Sequence, residues 1–354
     1  MTTSEHPSGH HSGRDSGQGT LADLTTLRLG GPAEELVVAG DEAALVEAVR
    51  EADEAGRPVL VVGGGSNLVV ADEGVPGRVV VVRSRGLQVE SDLCGGAYVE
   101  VAAGEPWDDL VASAVSRGWI GLEALSGIPG TTGATPIQNV GAYGQEVSQT
   151  LARVRTWDRE RGTVRTFAAA DCGFGYRTSR FKAEPGRFVV LSTTFQLGLG
   201  DLGTPVRYAE LARALGVEVG ERASSAEVRR VVLELRRGKG MVLDPDDHDT
   251  WSTGSFFTNP VVPADQVPDG APAWPVGEAE HKTSAAWLIE HAGFGKGHGG
   301  DGVRVSSRHT LALTNRGGGS TAELLALARE IRDGVRARFG ITLEPEPVLV
   351  GCGL

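Results

Sequence analysis

Lysine is almost missing from this chain: only Lys182, Lys239, Lys282 and Lys296 occur in 354 residues, so arginine carries nearly all of the positive charge. Acidic residues outnumber basic ones, 46 to 34, giving a formal net charge of −12. That balance argues against nucleic acid or an anionic membrane as the main partner. No apolar run reaches the ~20 residues that a bilayer span needs. Cysteine is equally scarce. Cys94, Cys172 and Cys352 are odd in number and far apart, and they specify neither a disulfide framework nor a zinc site. The GxSxG elbow, HExxH, Walker A and protein-kinase motifs are all absent, so hydrolase and phosphotransferase readings lack their usual marks. Residues 1–19 have no apolar periodicity and no hydrophobic stretch like that of a secretory signal. A disordered tail over residues 1–20 and a cytoplasmic protein are expected. His6, His10 and His11 fall in that tail, too loosely spaced to define a metal site.

Glycine, by contrast, is abundant at 51 residues, about twice average usage, and it is clustered. The length allows two or three domains, each with a core. A helix is predicted over 41–56, capped by Asp41, with Leu45, Val46, Val49 and Ala52 on one face and Gly56 at its end. Strands are predicted at 58–62, 79–82 and 98–101, a helix at 105–117, and strands again at 151–157, 163–167 and 188–196. Further helices are predicted at 224–237 and 320–339, and Pro347–Val350 reads as a strand. The character of the sequence changes after Gly203. The expected division is a tail (1–20), a first domain (21–203) and a smaller second domain (204–354), the last strand region packing back towards the site.

Two glycine-rich segments stand out. Gly63, Gly64, Gly65, Ser66 and Asn67 directly follow a strand, where glycines let the backbone approach a phosphate and successive N–H groups make an anion nest. No helix pattern follows, because Leu68–Val70 reads as more strand, and a Rossmann dinucleotide site is disfavoured. Alone, this loop is equally well a tight turn. The second segment runs from Ser126, Gly127, Ile128, Pro129 and Gly130 through Gly133 to Gly141 and Gly144. A loop of this length inside a domain is usually functional. Its amides and hydroxyls suit a pyrophosphate, and Gln138, Asn139 and the Tyr143 ring suit a heterocycle. Three further segments carry reactive types: Phe174–Arg177, Gly254–Asn259 with Ser255, and Glu344–Pro347 with Glu346 between prolines. Each has a bland alternative: Arg177 in a buried ion pair, Ser255 as a helix cap, Glu346 as a solvated turn residue.

In this order, these segments resemble the UDP-N-acetylenolpyruvoylglucosamine reductase family. The resemblance extends from Thr26–Gly31 through Cys172–Lys182, Lys239–Asp244, Thr253–Pro260 and Ser284–Glu290 to Pro345–Gly351, covering about residues 21–354. It implies an α+β fold, with a vanillyl-alcohol-oxidase-type FAD-binding domain followed by a smaller α+β C-terminal substrate domain. It also implies the activity, in which NADPH reduces non-covalently bound FAD and the flavin then reduces the enolpyruvyl ether of a UDP-sugar. Carried over residue by residue, Arg177, Ser255 and Glu346 are the implied catalytic groups, with Ser255 as proton donor. Tyr143, Lys239 and Asn259 are implied substrate contacts, Lys239 for the diphosphate. Gly63–Asn67, Ser126–Gly130, Gly133 and Gly141 are implied cofactor contacts. No metal, nucleic acid or membrane is expected, and a monomer is. Where the family often has Tyr after Lys-Gly, this chain has Lys296-Gly297-His298. The segments 241–255 and 261–282 are compatible with a substrate-covering loop. Two other readings remain: an oxidase of the same flavin fold, and a non-catalytic UDP-sugar or flavin binder. The first commonly tethers flavin to His or Cys, which both glycine loops lack. The intact Arg177, Ser255 and Glu346 set argues against the second.

Overall fold

The computed structural model describes residues 16–17, 19–92 and 95–354, so His6, His10, His11 and Cys94 lie outside the described residues. Most of the expected tail lies outside them too, but Ser16–Gly17 (β1) is not free: it pairs antiparallel with Leu36 and Val37. The chain then forms β2 (Ala33–Ala39), α1 (Glu42–Glu54), β3 (Val59–Val62), β4 (Leu68–Val70) and β5 (Val75–Val82). β5 lies between β2 and β3, parallel to both. Such pairing needs a crossover, which α1 supplies. The Asp41 carboxylate accepts the Ala44 N–H at 2.8 Å, and Leu45, Ala48, Val49 and Ala52 turn inwards at helical spacing.

The second sheet is antiparallel. β6 (Leu87–Asp92) and β7 (Gly96–Ala102) precede α2 (Trp107–Ser116) and the short β8 (Trp119–Ile120). After the glycine-rich loop come the pair β9 (Gly141–Ala142) and β10 (Gln145–Glu146), then β11 (Leu151–Asp158), β12 (Thr163–Ala168), the single turn α3 (Arg180–Ala183) and β13 (Phe188–Leu199). The order is β12-β11-β13-β7-β6, with β8 on the end of β13. β13 is central and buried without interruption from Val189 to Phe195, as expected for a strand covered on both faces. Its core joins Trp107, Leu110 and Val111 of α2 to Leu45 and Val49 of α1.

α4 (Ala209–Leu215) and α5 (Ser225–Gly238) follow. Leu211, Val228, Val231 and Val232 from this pair pack with Ala124, so the 204–238 stretch leans on the first half of the chain. β14 (Val261–Pro263), β15 (Ala273–Val276) and β16 (Glu280–Thr283) make a small sheet from a stretch that composition alone reads as loop. Cross-strand partners such as Trp274 and Lys282 fix its register. α6 (Ala285–His291), β17 (Val303–Val305), β18 (Leu313–Asn315), α7 (Thr321–Phe339) and β19 (Val348–Val350) complete the fold around a second core. A capping box between Ser320 and Glu323 starts α7, and Gly340 at φ 72° ends it. β19 pairs in parallel with β4, which joins the two cores. Among the described residues no helix is long and apolar enough to cross a membrane.

Candidate active site

A cavity of about 500 Å³ opens where the two cores meet. Backbone pairing brings its reactive groups together. The Glu346 N–H donates to the Phe256 carbonyl at 2.8 Å and the Thr258 N–H to the Glu344 carbonyl at 3.1 Å, so the segments carrying Ser255 and Glu346 run side by side. The Val348 N–H donates to the Asn67 carbonyl at 2.9 Å, fastening the Glu346 segment to the first glycine loop. Arg177 arrives from the opposite wall, on the tight turn Gly175–Thr178, with φ 52°. A non-glycine residue in that region is held there by its surroundings. Here the Lys182 ammonium donates to the Arg177 carbonyl at 3.1 Å, and Arg177 Nη2 donates to the Gly141 carbonyl at 2.8 Å. Ser179 caps the turn of helix that carries Lys182.

Arg177 Nε lies 2.9 Å from Glu346 Oε1, an ion-pair distance without the angle of a hydrogen bond. Glu346 is therefore not a solvated turn residue. Burial pushes its carboxyl above the ordinary range, with Arg177 and Lys182 pulling the other way. The neutral acid is thus favoured relative to an exposed glutamate. Ser255 caps no helix; it lines the cavity, and its hydroxyl has no hydrogen-bond partner among the described residues. Arg177, Ser255 and Glu346 all face one space.

The first glycine loop forms the floor. Gly63, Gly64, Gly65, Ser66 and Asn67 all line the cavity, and the N–H groups of Gly64 to Asn67 have no acceptor among the described residues. Four successive unpaired amides in one loop fit a phosphate. A Cβ on Gly64 would stand 2.5 Å from Gly130 Cα, so the two glycine loops meet backbone to backbone. Ser66 Oγ donates to the Pro129 carbonyl at 3.0 Å and Asn67 Nδ2 to Gln138 Oε1 at 2.9 Å, which closes the seam. Ile128, Pro129, Gly130, Gly133 and Gly141 line the same space. A wide cradle of backbone and small side chains with free amides fits a dinucleotide such as FAD.

Several expected contacts lie elsewhere. Ser126 is buried behind the loop with its hydroxyl on the Glu123 carbonyl, and the Gly127 N–H is taken by Asp108. Asn139 is enclosed, bonded to Glu146 and to the Gly175 carbonyl, so it braces the Arg177 turn and does not face a heterocycle. Asn259 does not line the cavity; its side-chain oxygen accepts the Ala285 N–H at the start of α6. His298 turns to Glu330 on α7.

At the other end of the cavity the Tyr143 ring meets Tyr208 edge-on, and Lys239 Nζ sits 5.6 Å from its centroid. Burial pushes the Tyr143 phenol up to about 12, so its O–H stays protonated. Lys239 lines the cavity but is paired with Glu210 at 2.5 Å. Arg236 and His309 line the same end and were not singled out from the sequence. Arg236 was nevertheless legible in part: it follows Val232 by four residues and so continues the buried face of α5. His309 carried no comparable signal.

Residues 33–168 match the family profile described as FAD binding domain, and residues 244–350 match that described as UDP-N-acetylenolpyruvoylglucosamine reductase, C-terminal domain. The chain is 59% identical over 335 residues to the UDP-N-acetylenolpyruvoylglucosamine reductase of Cutibacterium acnes, covering 94% of this chain and 89% of that protein. It is 54% identical to the protein of that name from Streptomyces coelicolor, covering 94% and 90%. Among solved structures, the UDP-N-acetylenolpyruvylglucosamine reductase of Thermus caldophilus superposes with a TM-score of 0.64 at 26% identity, covering 95% of this chain and 99% of that one.

Proposed function

The chain belongs to the UDP-N-acetylenolpyruvoylglucosamine reductase family, and from that membership we propose how its cavity carries out the reaction. The protein is an FAD-dependent oxidoreductase that uses NADPH to reduce UDP-N-acetylglucosamine enolpyruvate to UDP-N-acetylmuramate, in peptidoglycan precursor synthesis. FAD would be held by Gly63–Asn67 and the Ile128–Gly133 stretch, and when bound would supply the hydride chemistry that links NADPH to the methylene carbon of the enolpyruvyl group. The chain's own residues do the rest. Hydride addition leaves negative charge delocalised from the adjacent carbon into the carboxylate. Arg177 stabilises that charge but keeps its own protons at neutral pH. Glu346, favoured as the neutral acid by burial, donates a hydrogen bond to the same charge. Ser255 holds the proton that goes to the adjacent carbon, a strongly basic centre that a hydroxyl can protonate.

The observation that carries this reading is the convergence of Arg177, Ser255 and Glu346 on one cavity floored by both glycine loops. Tyr143 and Lys239 serve the nucleotide end. Asn259 lies off the cavity and braces the start of α6, so it takes no part in this reading as a substrate contact. Residues 21–203 make the flavin unit and 204–354 the substrate unit, with α4 and α5 packed on the former. A cytoplasmic monomer is the working form that belongs to this reading. The test is direct: purified protein should oxidise NADPH beyond one equivalent per flavin only when the enolpyruvyl UDP-sugar is present, and release a product heavier by two hydrogens. Oxygen consumption with simple sugars and no such product would refute it.

A further inference from the structure

The cavity's nucleotide end holds two cations on α5 and the residue after it, and they differ in one respect. Lys239 already has a carboxylate, Glu210, at 2.5 Å. Arg236 has none within ion-pair distance among the described residues. Its Nη2 donates to the Met241 carbonyl at 2.7 Å, while its Nε is enclosed and has no acceptor among the described residues. The nearest acidic side chain on the neighbouring helix, Asp108, is engaged by Arg229 in a two-pronged pair at 2.6 and 2.9 Å and by the Gly127 N–H. A guanidinium cannot shed its charge near neutral pH. Burying one without an anion is unfavourable, and the desolvation here is enough to lower its pKa.

His309 stands at the same end. Its Nδ1 accepts the Leu311 N–H at 3.3 Å, which leaves the proton of the neutral ring on Nε2, so it too offers a donor. Burial first, and then Lys239, Lys296 and Arg236, disfavour protonation of this imidazole, with the Glu210 carboxylate opposing them. The end of the cavity is thus supplied with donors, and the carboxylate that stands there, Glu210, is already taken by Lys239.

We propose that Arg236 is a diphosphate-binding residue of this site, completing its charge balance only when a ligand diphosphate is bound. The inference rests on the functional reading above, which supplies two diphosphates, one in FAD and one in the UDP-sugar. Arg236 lines the cavity at its nucleotide end, close enough to the Tyr143 phenol for their charges to interact, and Tyr143 carries Lys239 Nζ 5.6 Å from its ring centroid. With Nε enclosed and Nη2 on the Met241 carbonyl, Nη1, which has no acceptor among the described residues, is the donor left for a phosphate oxygen in the cavity. Lys239, held by Glu210, contributes less than its charge implies.

The test compares wild-type, Arg236→Met and Arg236→Lys holoenzymes. Calorimetry measures UDP affinity, flavin fluorescence measures FAD release, and thermal unfolding measures stability. Loss of a charged hydrogen-bonding pair should weaken one diphosphate ligand by about 10- to 100-fold. Weaker UDP binding with FAD retained places the contact on the substrate; faster FAD release with UDP affinity kept places it on the flavin. Where FAD is retained, the melting temperature of Arg236→Met should hold or rise, because an uncompensated buried charge is gone; where FAD is loosened, it should fall only as far as the weaker flavin binding requires. Arg236→Lys should recover only part of the affinity, lacking the planar guanidinium. If neither affinity changes by more than about threefold, or if Arg236→Met melts early and Arg236→Lys restores both stability and full affinity, Arg236 is structural and the proposal fails. If wild type itself ignores UDP, the functional reading is at fault. Binding of inorganic pyrophosphate and the flavin arm then still decide the role of Arg236.

Discussion

His309 gives a prediction whose size follows from its setting. Burial and the cations Lys239, Lys296 and Arg236 lower its pKa from 6.5 to about 4. The native state therefore holds the neutral ring where the unfolded chain would already be protonated. Stability from this residue is complete above the unfolded value of 6.5 and is lost as pH falls towards 4. At pH 5 the unfolded chain is mostly protonated at this site and the native protein mostly not, a deficit of roughly 2 kcal/mol that levels off near roughly 3 kcal/mol at lower pH. His309→Gln keeps a donor and an acceptor but cannot titrate. It should be less stable than wild type at pH 7.5, since the Leu311 contact is imperfectly replaced, and should overtake it between pH 6 and 5. Urea unfolding of both proteins at matched FAD, from pH 7.5 to 4.5, reads the difference directly. Carboxylates that titrate in the same range cancel between the two curves. A stability gap that stays constant with pH to within about 0.5 kcal/mol would mean that His309 is already protonated or freely solvated in the native state, and the electrostatic account would be wrong.

Ser255→Ala should leave flavin reduction by NADPH within a fewfold of wild type and slow reoxidation by substrate by about 10²- to 10⁴-fold, the usual worth of a positioned acid. Stopped-flow flavin absorbance separates the halves, and normal reoxidation would remove Ser255 as donor. Glu346, with a raised pKa, stabilises the fold most when protonated and loses that contribution as pH rises through its folded value. Glu346→Gln should therefore abolish a decline in stability on the alkaline side of the carboxylate range while impairing turnover; an unchanged pH-stability slope would contradict the burial argument. Gly64→Ala should destabilise the protein by about 2 kcal/mol and loosen FAD, because the added methyl meets the Gly130 backbone. A variant that melts normally and keeps its flavin would show that the two loops do not touch.

Long periodic elements were legible because one force shapes them. α1, α2, α5 and α7 fall within a residue or two of the spans that apolar spacing and caps predict. β14 to β16 were not, since their strands are three or four residues long and depend on each other's edges more than on any pattern of their own. The reactive trio was legible through its motifs, but how its members meet was not. Ser255 and Glu346 are neighbours because Phe256 and Glu346 share a backbone hydrogen bond, a fact no local window contains. Asn139 and Asn259 show the reverse failure. Their polar side chains suit a ligand on paper, and the fold uses them to satisfy backbone groups instead.

The pairing of β19 with β4 sets an order of assembly. A growing chain acquires both glycine loops, the central sheet and Arg177 early, from contacts that are mostly within the first half. Glu346 enters only after nearly all of the second half has been made, and its position depends on a strand that must find a partner at the far end of the sequence. Closing so distant a contact is slow relative to forming local helices and hairpins. The residues that cradle the flavin and those that steer charge and protons on a substrate are thus joined across nearly the whole length of the chain, and the chemistry depends on that one long-range join.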